Sequence, residues 1–114
     1  MWIFLNDAFL SAVEHRNDPN LLLVRARVSG DLQRVFPDLA KNVQKTTKAD
    51  YRFRLAVDRT RFMEALNQEV GRIDYGNFKK SVKEFDRHEA YLDVWSAMYG
   101  LQQDRAVLDD KKGK

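Results

Sequence analysis

The chain of 114 residues has no cysteine, only two prolines and only five glycines. Without cysteine there is no disulfide framework, no thiolate zinc ribbon and no thiol nucleophile. So little glycine and proline excludes collagen-like and low-complexity chains. No Gly-rich phosphate loop is present either, since Ser29-Gly30 and Tyr75-Gly76-Asn77 are single-glycine turns. No apolar run approaches the roughly 18 residues that a membrane-crossing helix needs. The apolar opening Met1-Trp2-Ile3-Phe4-Leu5 is cut short by Asn6 and Asp7 and follows no basic region, so it lacks the form of a signal peptide. A cytoplasmic protein with no membrane partner is the expectation.

What remains is a chain with 44% hydrophobic and 11% aromatic residues, too apolar for disorder. A globular chain of this size buries roughly two thirds of the surface that its unfolded form exposes, enough for a core without metal or disulfide. One α+β domain is expected over residues 1–104. The final Asp109-Asp110-Lys111-Lys112-Gly113-Lys114 has nothing to bury, so residues 105–114 are expected to form a disordered polar tail. Twenty Lys plus Arg against seventeen Asp plus Glu give a formal charge of +3, which permits a nucleic-acid partner without implying one.

Strand signals dominate the first half. Residues 2–5 and 8–15 are β-rich and are separated by Asn6-Asp7, a pair suited to a tight turn. Asn17-Asp18-Pro19-Asn20 is the clearest turn in the chain. In residues 21–28, Leu22, Val24, Ala26 and Val28 share one face, and Leu21, Leu23, Arg25 and Arg27 the other. Ser29 suits the cap of a short helix buried through Leu32, Val35 and Phe36 and limited by Pro37. Residues 41–48 fit a lysine-bearing edge strand. Residues 51–57 are the strongest strand signal, with Tyr51, Phe53, Leu55 and Val57 inward and Arg52 and Arg54 outward.

Two helices are expected to follow. Asp58 precedes a stripe of Phe62, Leu66, Val70 and Ile73, and a second helix runs from about residue 78 to Gln103. The order from residue 21 to 73 matches a ferredoxin-like split unit without its fourth strand, and residues 8–15 can take that place. The expected fold is therefore a permuted ferredoxin-like α+β sandwich, its antiparallel or mixed sheet bearing helices on one face, with an added long C-terminal helix. Residues 21–28 and 51–57 would be parallel central neighbours. Arg25, Arg27, Arg52 and Arg54 would then emerge together on the face away from the helices.

Two readings of those arginines stand. They form an ordinary solvated face whose charges pair with acids such as Glu84, Asp86, Glu89 and Asp93, or they bind phosphate or another anionic partner through planar guanidinium forks. Base stacking is not expected from Tyr51 and Phe53, which have the wrong parity, and only Trp2 or Phe4 could provide it. Along the last helix, Tyr91, Val94, Trp95, Met98 and Leu101 exceed what one side of a helix can bury. They form the candidate interface for a homo-oligomer or another protein. Glu84 and His88, four apart, amount to half a metal site at most, so no metal, cofactor or catalytic residue is assigned. The leading expectation is a non-enzymatic, self-associating interaction module. The alternative is a nucleic-acid- or phosphate-binding protein.

The sequence resembles a family of short uncharacterised bacterial proteins that begin with Met-Trp. The matching pieces are Met1-Trp2-Ile3-Phe4, Phe9-Leu10-Ser11-Ala12-Val13, Val24-Arg25-Ala26-Arg27, Ala49-Asp50-Tyr51-Arg52-Phe53-Arg54, Ile73-Asp74-Tyr75-Gly76-Asn77-Phe78-Lys79 and Val94-Trp95-Ser96-Ala97-Met98. The resemblance extends to about Gln103. It implies kinship and no particular chemistry.

Overall fold

The computed structural model describes residues 1–112, which fall into two compact units, Met1–Tyr75 and the chain from Gly76 onward. The first unit is an α+β layer pair. Its strands are β1 (Trp2–Leu5), β2 (Ala8–Glu14), β3 (Leu21–Ala26), β4 (Gln44–Lys45) and β5 (Phe53–Asp58), in the spatial order β1-β2-β3-β5-β4. All four neighbouring pairs are antiparallel. The helices of this unit are α1 (Asp31–Val35) and α2 (Arg59–Gly71), with a 3₁₀ turn over Pro37–Asn42.

The parallel central pair expected of a permuted ferredoxin-like sandwich is corrected here: β3 and β5 run antiparallel, with Val24 opposite Leu55 and Arg25 opposite Arg54. The reason lies in the connection. A five-residue helix such as α1 rises only about 7.5 Å. That cannot carry the chain back along a six-residue strand of about 20 Å. The chain therefore stays near the end of β3, turns through the short edge strand β4, and enters β5 in the opposite direction.

Alternation sets the two faces of the sheet. Leu10, Val24, Leu55 and Val57 are buried in one cluster with Leu32, Phe36 and Phe62, so α1 and α2 share that face. Phe36 and Phe62 stack with centroids 6.1 Å apart. The α2 stripe is shorter than expected. Phe62 and Ala65 are buried and Leu66 packs beside them, but Val70 and Ile73 are exposed. β3 also ends at Ala26, leaving Val28 exposed rather than inward.

Polar side chains fasten the layers. Gly30, at φ +94°, occupies the cap position of α1 that Ser29 was expected to fill, and no side chain caps it. The first helical residue, Asp31, is buried and accepts the Phe9 backbone N–H at 3.0 Å, beyond the point where β3 stops pairing with β2. Arg34 donates to both carboxylate oxygens of Glu69 in α2, at 2.7 and 2.9 Å, and to Asp7 in the β1–β2 turn at 2.7 Å. Glu69 first, and then Asp7 against the opposing cost of burial, hold the Arg34 guanidinium well above its ordinary pKa. Arg61 of α2 grips Asp38 of the 3₁₀ turn through two bonds, at 2.7 and 3.0 Å.

The second unit holds α3 (Phe78–Ser81) and α4 (Phe85–Lys112). The single helix expected from residue 78 is thus two. Asn77 Oδ1 accepts the Lys80 N–H and starts α3, and Val82, extended at φ −83° and ψ 109°, ends it. The Phe78 ring stacks on Tyr91 of α4 at 5.8 Å. α4 spans 28 residues, and the stretch expected to be a disordered tail from residue 105 continues it through Lys112. Gly113 and Lys114, the end of that expected tail, lie outside the described residues.

Candidate functional site

Two surfaces carry the side chains that the sequence singled out. The first is the sheet face away from α1 and α2. There Arg25 and Arg54 stand directly opposite each other on β3 and β5, while Ser11 faces Arg25 from β2. Arg25 donates to Ser11 Oγ at 2.8 Å. Two like charges in a directly opposed cross-strand pair are unfavourable. Yet the Nε–H groups of both arginines are buried with no hydrogen-bond partner. Each such orphaned donor costs about 1–3 kcal/mol.

Tyr51 belongs to this face and not to the inward one assigned from alternation. It lies in a bend before β5, where the two-residue period no longer applies. The guanidinium carbons of Arg25 and Arg27 sit 4.5 and 4.0 Å from the centre of its ring, which is 4% exposed. Cation–π attraction of this kind is worth about 0.5–2 kcal/mol each. Arg27 also donates to the Asp50 carboxylate and carbonyl, both at 3.2 Å. The Asp50 hydrogen bond raises its pKa further.

The structure therefore treats the four arginines differently. Arg27 is neutralised by Asp50, and Arg25 is held by Ser11 and Tyr51. Arg52 precedes β5, is exposed, and has no ionic partner among the described residues. The Arg54 side chain has no hydrogen-bond or ionic partner among them either. Ser11 was not foreseen as a contributor, because its place beside Arg25 follows from strand register alone.

The second surface is a strip on α4. Val94, Met98, Leu101 and Leu108 recur at spacings of four, three and seven, with Arg105 at the intervening position. That is the spacing of a heptad seam. These side chains are between 37% and 58% exposed. Trp95 and Tyr99 stack beside the seam, with centroids 5.4 Å apart and planes 10° apart, and Lys79 Nζ lies 4.3 Å from the Trp95 ring centre. A shallow groove of about 360 Å³ runs along Trp95, Met98, Tyr99, Leu101 and Gln102. Of the five expected interface residues, Tyr91 is the one buried, against Phe78.

Glu84 bonds Arg87 Nε at 3.0 Å, and His88 Nδ1 lies 3.6 Å from Glu89. Among the described residues no three His, Cys, Asp or Glu side chains gather as a metal site would require. Nor, among them, is any helix long and apolar enough to cross a membrane. No family model, no curated protein and no solved structure matches this chain.

Proposed function

We propose that this protein is a non-enzymatic interaction module that associates with a second copy of itself through α4. The observation that carries the reading is the exposed seam of Val94, Met98, Leu101 and Leu108, flanked by the stacked Trp95 and Tyr99. A heptad seam on a helix of about 42 Å is self-complementary under a two-fold axis, since each knob then meets the same set of holes on its copy. Aromatic residues and methionine are the types enriched at interface centres. Sedimentation velocity over a hundredfold concentration range tests it. A concentration-dependent dimer is expected, and Met98→Lys with Leu101→Lys should leave a folded monomer. A wild-type protein that stays monomeric throughout would sink the proposal.

The arginine face favours a second reading, recognition of phosphate. Tyr51 offers no platform for a nucleic-acid base, because two guanidinium groups cover it; the exposed Trp2, opposite Ser11, is the open ring on that face. Arg54, uncompensated by any carboxylate among the described residues, is what supports phosphate.

A further inference from the structure

Beside Arg54 the first unit has a cleft of about 710 Å³, within the range of small-ligand sites. Its wall includes Leu23, Leu55 and Ala56 of the central strands and Lys41, Val43 and Gln44 from the approach to β4. His15, just past the end of β2, also lines it. No acidic residue lines it. Arg54 and Lys41 both lack a carboxylate partner among the described residues, so two positive charges enter the cleft uncompensated. His15 Nδ1 accepts the Asn17 backbone N–H at 3.2 Å, which assigns the proton of the neutral ring to Nε2 and makes that nitrogen a donor.

Arg54 shows the most tension of these groups. It faces Arg25 across the strand pair with its Nε–H buried and unbonded, although buried donors are almost always paired. An oxyanion against the terminal guanidinium N–H groups of Arg54 offsets the like charges of Arg54 and Arg25, while the buried Nε–H stays out of its reach. We propose that this cleft binds a phosphomonoester, its phosphate between Arg54 and Lys41 and its remainder against Leu23 and Ala56. The inference rests on the phosphate reading of the arginine face and narrows it from an open surface to one concave site. The concave, partly apolar wall favours a small molecule over a polynucleotide, which would track a long groove and stack its bases on open rings.

Titration of the full chain at low salt with inorganic phosphate and with a nucleoside monophosphate, followed by amide and arginine Nε–H NMR, tests the site. Saturable shifts are expected at Arg54, Gln44 and Lys41, with the monophosphate binding more tightly than phosphate because it adds apolar contact. Arg54→Ala should weaken both about tenfold or more, and Arg54→Lys should recover only part of that, because a point charge does not replace the fork. Lys41 is exposed, so Lys41→Ala leaves folding intact and should weaken binding about threefold. Arg72→Ala, a cation outside the cleft, should change it by less than about twofold. Saturable phosphate binding that Arg54→Ala and Lys41→Ala leave unchanged would remove the cleft while keeping phosphate recognition elsewhere on the face. Absence of saturable shifts with either probe would remove both. Single-stranded oligothymidylate binding with affinity that grows with strand length and exceeds the monophosphate would replace the small ligand with a nucleic acid.

Discussion

The two units solve the burial problem in opposite ways. In Met1–Tyr75 a twisted sheet presents one whole face to α1 and α2, and residues distant in sequence, such as Leu10, Leu32 and Phe62, close into one cluster. From Gly76 onward, buried apolar packing centres on Val82 and Tyr91, and most of α4 keeps its large apolar residues exposed. A sheet buries a surface, whereas a single helix buries a stripe. The difference teaches where stability resides and where surface is left for a partner.

Core truncation should break the comparison most visibly if it is wrong. Phe36→Ala, at a fully buried ring, should lower unfolding free energy by about 3–5 kcal/mol in urea titration. Met98→Ala on the exposed seam should cost about 0.5 kcal/mol or less when measured on dilute monomer. Equal losses would mean that α4 is as much a part of the core as Phe36.

The next effect in size probes the polar clamp. Arg34→Ala leaves Glu69, whose side chain is only 12% exposed, without its bidentate partner and should cost about 2 kcal/mol. Arg34→Lys should retain most of that loss, because one ammonium cannot span both Glu69 oxygens and Asp7. Gly30→Ala should then cost about 1 kcal/mol. The space beside Gly30 is open, so the strain comes from φ +94° alone.

The smallest effect is one of pH. The bond from Arg61 lowers the Asp38 pKa. A depressed carboxylate stabilises the fold above its unfolded pKa and loses that contribution as the pH falls through the lower folded value. Asp38→Asn should therefore lower stability slightly at neutrality, and the difference from the wild type should shrink as the pH falls below about 4. A change of equal size at pH 7 and pH 3 would contradict the assignment.

Much of the first unit was legible in the sequence because its signals are local. The Asn6-Asp7 and Asn17-Asp18-Pro19-Asn20 turns, the alternation of Leu22, Val24 and Ala26, and the start of α2 after Asp58 each depend on neighbours a few residues apart. The direction of β5 did not, because it depends on how far α1 carries the chain. Tyr51 was misplaced for a related reason: a bend cancels the parity that would have turned it inward. The break at Val82 eluded a reading based on apolar spacing, which is blind to the Asn77 cap and the short turn that it starts.

The candidate sites divide along the same line. The seam on α4 was visible as spacing, since helical periodicity alone puts Val94, Met98 and Leu101 on one side. The pairing of Arg27 with Asp50, the bond from Arg25 to Ser11 and the isolation of Arg54 were not visible, because each joins different segments of the chain.

By itself the sequence determined the types of elements, the apolar faces and the presence of outward arginines, since all of these follow from periodicity and the short reach of side chains along one segment. Only the tertiary structure decided which arginines are compensated and which is not. Charge pairing is a matter of distances of a few ångströms between strands, and strand direction and register set those distances.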